Sequence, residues 1–253
     1  MTIASGMPAP ARAEAPTSLA AQLQQLSSKR VYFGHQSVGS NILDGLRDLA
    51  RESKVSLPVL KADEAGKDQP GILHAYVGEN TRPATKIAGF EKWLADPAAN
   101  ADIAFFKFCY VDIDAATDVR ALFDSYVSMY ERVKAGKPHV EFVHVTVPLT
   151  VTQGGLKGYV KKLLGRDPAG ERENIKRHEF NELLRARFAG KAPIFDLARV
   201  ESVQPDGSPH GFERDGRTFP SLVPAYSYDG EHLNEQGRKH VAAELVKVLA
   251  SIE

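Results

Sequence analysis

Asp229 and His232 lie three positions apart in the stretch Tyr228-Asp229-Gly230-Glu231-His232-Leu233-Asn234-Glu235-Gln236-Gly237. In one tight turn the carboxylate can take a proton from one ring nitrogen and leave the other facing outward as a base. Such a base needs a nucleophile. The candidate is Ser37, far away in the chain, in Val31-Tyr32-Phe33-Gly34-His35-Gln36-Ser37-Val38-Gly39. Together the three residue types suit nucleophilic attack on an acyl carbon. Taken singly, each has a plainer role: Ser37 as a helix N-cap, Asp229 as a turn residue, His232 as a surface histidine.

The elements around them read as alternating strands and helices. Arg30–Phe33 is short, apolar and β-prone, and breaks at Gly34. A helix begins near Ser37 or Val38, with Ile42, Leu43, Leu46 and Leu49 on one face. Val55–Leu60 reads as a second strand, and Lys61–Thr81 as a loop over the top of the sheet. Lys86–Leu94 is a short helix. Asp102–Phe108 is an apolar run expected of a strand buried on both faces. Asp118–Lys134 is helical, Val140–Val147 a strand, Glu171–Phe188 a helix and Pro193–Leu197 the fifth strand. Residues 150–170 form an insertion, residues 201–227 a long irregular loop, and residues 234–252 the last helix. The pattern predicts an α/β fold: a three-layer α/β/α sandwich on a five-stranded parallel sheet. Ligands of such sheets bind at the carboxyl ends of the strands, where Ser37 and the Asp229/His232 turn both fall.

Composition narrows the function classes. The chain has 253 residues, 43% hydrophobic and 25% charged, with 32 basic and 32 acidic residues. That balance argues against recognition of nucleic acid or an anionic membrane by bulk charge, and no apolar run is long enough to span a bilayer. A lone Cys109 allows no internal disulfide. Residues 1–18 read as a disordered tail or the remnant of a signal region. The small-x-small triplets of Ala11-Arg12-Ala13-Glu14-Ala15 favour export, periplasmic or secreted, over a cytoplasmic location. Residues 19–253 read as one catalytic domain.

An early serine after the first strand, with Asp-x-x-His just before the last helix, resembles the SGNH/GDSL hydrolase superfamily. Asp229-Gly230-Glu231-His232-Leu233-Asn234 followed by Gly237 is similar to its last sequence block, and Val143–Pro148 and Phe195–Leu197 look like its later strands. The resemblance implies a flavodoxin-like fold and a Ser37–His232–Asp229 triad with no metal or organic cofactor. It also implies an oxyanion hole from Ser37 and Gly78, with Asn80 as a side-chain donor. Two departures stand out. Ser37 follows His35 and Gln36 instead of Gly-Asp. The third block, usually Gly-x-Asn-Asp, reads Cys109-Tyr110-Val111-Asp112, so its asparagine is absent.

Further substrate contacts are expected from His35, Gln36, Lys107 and Tyr110, with Asp112 or substrate as the partner of Lys107. Lys161, Lys162 and Arg166 read as a solvated face. The implied activity is ester hydrolysis on a small-molecule or carbohydrate ester, an O-acetyl group being the leading candidate. Acyl transfer would use the same machinery. A different class stays open: anion binding, without catalysis, at the turn 34–41.

Overall fold

A computed structural model describes residues 17–66, 68–96 and 99–252. The tail and signal-region expectation for residues 1–16 lies outside them. Strand β1 (Arg30–His35) is the middle of a five-stranded parallel sheet of order β2-β3-β1-β4-β5. Its neighbours are β3 (Gly71–Tyr76) and β4 (Ile103–Phe106), with Phe33 level with His74 on one side and Phe105 on the other. The edges are β2 (Val59–Lys61) and β5 (Glu141–Phe142). Beyond β5 the chain keeps hydrogen-bonding on both sides. The Val143 amide donates to Ala104 O at 3.2 Å and the His144 amide to Pro193 O at 2.9 Å. Strand β6 (His144–Val145) then pairs in parallel with β7 (Ile194–Phe195).

Alternation along the central strands sorts their side chains between two layers. Val31, Phe33, Ile103 and Phe105 face a core made with α1 (Leu19–Leu26), α2 (Ser37–Glu52) and α8 (Glu235–Ala250). Tyr32, Ala104 and Phe106 face a second core with α3 (Pro83–Ala95), α4 (Val119–Gly136) and α6 (Glu171–Phe188). This is the expected three-layer α/β/α sandwich. Full burial of each large side chain stabilises it by roughly 1.5–3 kcal/mol, and Phe33 stacks on Phe105 at 4.6 Å. Because α2 leaves β1 on one face while α4 follows β4 on the other, a crevice opens between the carboxyl ends of β1 and β4.

Several segments differ from expectation. The strand read over 55–60 pairs only from Val59, and the loop read over 61–81 contains β3, which lies directly beside β1. Only its first half is buried; His74 to Tyr76 grow more exposed towards the rim, so the segment lacks the continuous apolar run of a central strand. The insertion 150–170 carries a helix, α5 (Gly155–Leu163). The segment read as an irregular loop holds the end of a short helix, α7 (Leu197–Glu201), and an antiparallel hairpin of β8 (Gly211–Arg214) and β9 (Arg217–Pro220). Asp215 and Gly216 join its strands at φ of 51° and 73°. Two positive φ values are the mark of a tight type I′ turn, and Asp-Gly is a common sequence for it.

Candidate active site

Ser37 is the first residue of α2, behind an extended Gln36 that leads in from β1. The His35 side chain lies against the first turn of that helix. A Cβ at position 39 would come within 2.3 Å of His35 Cβ, so Gly39 allows the packing that brings Ser37 to the rim. Ser37 is half-buried, and its hydroxyl has no hydrogen-bond partner among the described residues. Its backbone amide, at the helix N-terminus, is free as well.

The Asp229–His232 turn is held from several sides. Asp229 Oδ1 accepts the amides of Glu231 and His232 at 2.8 and 2.7 Å, and Oδ2 accepts His232 Nδ1 at 2.7 Å. Ser227 Oγ donates to His232 O at 2.7 Å and accepts the Gly230 amide at 2.8 Å. Burial raises the Asp229 carboxyl pKa, but the His232 amide and ring and the Glu231 amide outweigh it and hold the group down at about 2. With Nδ1 committed, the other ring nitrogen of His232 is the one available as a base. The ring stands edge-on to Tyr110 at 5.7 Å and parallel to Tyr228 at 6.0 Å. Asn234 then caps α8, accepting the Gly237 amide at 2.9 Å.

Two elements far apart in sequence meet through Asn41. Its Oδ1 accepts the Leu233 amide at 3.2 Å. Asn41 is one helical turn after Ser37, on the same face of α2. The residue that follows His232 is therefore anchored one turn from the serine. The serine and histidine themselves are not hydrogen-bonded to each other in this structure.

The loop after β3 supplies Gly78 and Asn80. Gly78 has φ of 60°, and a Cβ there would sit 2.4 Å from the Lys86 amide, so both conformation and space require glycine. Gln36 Nε2 donates to Gly78 O at 2.8 Å and to Val77 O at 3.3 Å, joining this loop to the residue before Ser37. The Gly78 amide has no partner among the described residues. Lys86 and Asp112 form a fully buried ion pair beneath the loop at 2.5 Å. Lys86 also donates to Asn80 Oδ1 at 2.9 Å, and Asp112 accepts the Thr81 and Cys109 amides at 3.0 and 2.6 Å. Asn80 is exposed, and with its carbonyl held by Lys86 its amide nitrogen is left to donate elsewhere.

The four further contact candidates divide. Gln36 directly precedes Ser37, and Tyr110 packs against the His232 ring. The Tyr110 hydroxyl donates to Glu231 at 2.7 Å, and Arg177 Nε holds Tyr110 O at 2.9 Å. His35 is fully buried. Its Nδ1 donates to Gln36 O at 3.0 Å, so its Nε2 must accept from His74 Nδ1, also at 3.0 Å. Burial, then the positive charge of Lys107, pushes its pKa down to about 3. Lys107 is 1% exposed and pairs not with Asp112 but with Phe108 O at 3.4 Å and Cys109 Sγ at 3.7 Å. Both side chains are therefore closed to solvent and held by protein partners. Asp112 is taken by Lys86, a long-range pairing no local pattern announces. Asn41 could have been found by its helical spacing from Ser37; Ser227 and Glu231 carry no such signal. Among the described residues no group of three or more His, Cys, Asp or Glu is placed to hold a metal ion.

No family model and no curated protein matches the chain. Solved structures that do match it include three of this kind. One, from Streptococcus pneumonia, is described as a platelet activating factor: 14% identity, 91% of each chain covered, TM-score 0.49. Another is described as a lipolytic protein of the G-D-S-L family from Desulfitobacterium hafniense: 11% identity, 87% of this chain and 99% of that one, TM-score 0.48. A third is an acetyl xylan esterase: 15% identity, 86% and 98%, TM-score 0.48.

Proposed function

We propose that residues 19–253 form one catalytic domain that hydrolyses esters through Ser37, His232 and Asp229. Ser37 Oγ attacks the ester carbonyl while the free ring nitrogen of His232 takes its proton. The amides of Ser37 and Gly78, with the Asn80 side chain, donate to the oxyanion. His232 returns the proton to the leaving alcohol, and a water then cleaves the acyl-enzyme by the same route in reverse. Asp229 keeps the imidazole in the tautomer this requires. An O-acetylated carbohydrate is the substrate class we favour, in an exported protein. Acyl transfer needs only a sugar hydroxyl in place of the water.

One observation carries the reading: the Asp229–His232 pair at 2.7 Å, in a block anchored to Asn41 one turn from Ser37. The test is p-nitrophenyl acetate turnover. Ser37→Ala and His232→Ala should each abolish it to a similar low residue, and the double variant should be little worse, because members of one catalytic unit are not additive. Additive losses would point to two independent roles.

A further inference from the structure

Helix α5 turns its apolar side away from the protein. Leu156 and Leu163 are 79% and 75% exposed, and Tyr159, Val160 and Leu164 are exposed beside them. By helical spacing these five positions share one stripe. On the opposite side Gly158 is buried within the insertion itself, where a Cβ would lie 2.2 Å from Gln153 O and 4.0 Å from Pro168 Cγ. Stray exposed leucines are ordinary, but a continuous stripe of five over about two and a half helical turns is not.

The charge around the stripe is one-sided. Residues 151–166 contain four basic residues and no acid, although the chain as a whole is balanced. Lys157 and Lys161 border the apolar stripe, and Arg166 follows it. The first acid, Asp167, is already paired with Arg214 at 2.7 Å and Arg172 at 3.6 Å. An apolar stripe bordered by lysines fits the boundary between acyl chains and anionic headgroups. At nine residues α5 can lie in such a boundary and not cross it.

The helix is joined directly to the candidate site. The Val151 amide donates to Gly230 O at 2.8 Å, inside the Asp229–His232 turn, and Gln153 and Ala169 close the base of the insertion at 3.0 Å. We propose that α5 is a docking helix for an anionic lipid surface, which seats the chain with its crevice beside the bilayer. This does not depend on the chemistry at Ser37.

The test is co-sedimentation of the whole chain with vesicles of phosphatidylcholine alone or with about 30 mol% phosphatidylglycerol. Binding is expected to the mixed vesicles, at least tenfold weaker to pure phosphatidylcholine, and to fall as salt rises. Leu156→Ser/Leu163→Ser should lose at least tenfold in affinity. Lys157→Glu/Lys161→Glu, which leaves the apolar stripe intact, should lose at least about tenfold as well, each basic residue being worth about fivefold near such a surface. Thermal unfolding of both variants should match the parent, and if one is destabilised the other still decides. No binding to either vesicle, or binding unchanged in a folded variant, overturns the proposal. So does a parent that is a dimer in light scattering and becomes a monomer in Leu156→Ser/Leu163→Ser, since a second copy then covers the stripe.

Discussion

Asp229 holds His232 at two points: one carboxylate oxygen accepts its backbone amide at 2.7 Å and the other its ring Nδ1 at 2.7 Å. Orientation and tautomer are thus fixed by a single side chain. Asp229→Asn keeps the shape but lets the ring nitrogen face an amide donor, which selects the wrong tautomer. We expect kcat for p-nitrophenyl acetate to fall by about 10³–10⁴. A fall of less than tenfold would separate Asp229 from the chemistry.

Asn41 acts at one remove, through Leu233. Asn41→Ala should lower kcat by roughly 10-fold to 100-fold with little change in KM, as loss of a supporting contact does. Asn41→Asp keeps an acceptor oxygen and should recover most of the rate. Equal rates in the two variants would show that the hydrogen bond is not what matters.

At the opposite side of the crevice, Gly78 and Asn80 should behave differently. Gly78→Ala strains a left-handed position and collides with the Lys86 amide, so it should destabilise the fold by about 1–3 kcal/mol, seen as a lower urea midpoint. Asn80→Ala removes one acceptor from buried Lys86, which keeps Asp112, so it should cost only about 1 kcal/mol in stability while costing about 10²–10³ in kcat. Unchanged turnover would remove Asn80 from the oxyanion site.

Glu201 gives a pH prediction. Burial raises its pKa to about 8, against partial relief from the Leu149 amide that donates to it at 2.9 Å and from the nearby charges of Lys107 and Arg177. A carboxyl raised on folding is protonated in the native state, and the unfolded chain loses that proton more readily. Stability should therefore fall as pH rises from the ordinary carboxyl value of 4.5 towards 8. Glu201→Gln mimics the neutral acid and should flatten that fall in urea midpoints measured between pH 5 and 8. A parallel decline in both proteins would mean that Glu201 is not its source.

These residues also show what a sequence can and cannot disclose. Helix α6 matches its expected bounds, Glu171–Phe188, because apolar positions such as Phe180, Leu184 and Phe188 recur at helical spacing. The Asp229–His232 turn is local, so its chemistry is readable from spacing. Strand β3 is not, because its exposed end hides the period of a buried strand. The β8–β9 hairpin was readable from Asp215-Gly216 between alternating residues. Asp112 shows the deeper limit. Its type suits Lys107 nearby in sequence, yet the fold gives it to Lys86, and burial of Lys107 and His35 depends on packing from several elements at once.

Intact-mass spectrometry after reaction with a fluorophosphonate tests the central claim most directly. The wild-type chain should gain one adduct, mapped by peptide fragmentation to Ser37, and Ser37→Ala should gain none. His232→Ala should label far more slowly, since the serine then has no base. An anion-binding turn without a nucleophile would give no adduct in any of the three. An adduct that persists in Ser37→Ala, or its absence from a folded wild-type chain, would contradict the assignment of Ser37 as the nucleophile.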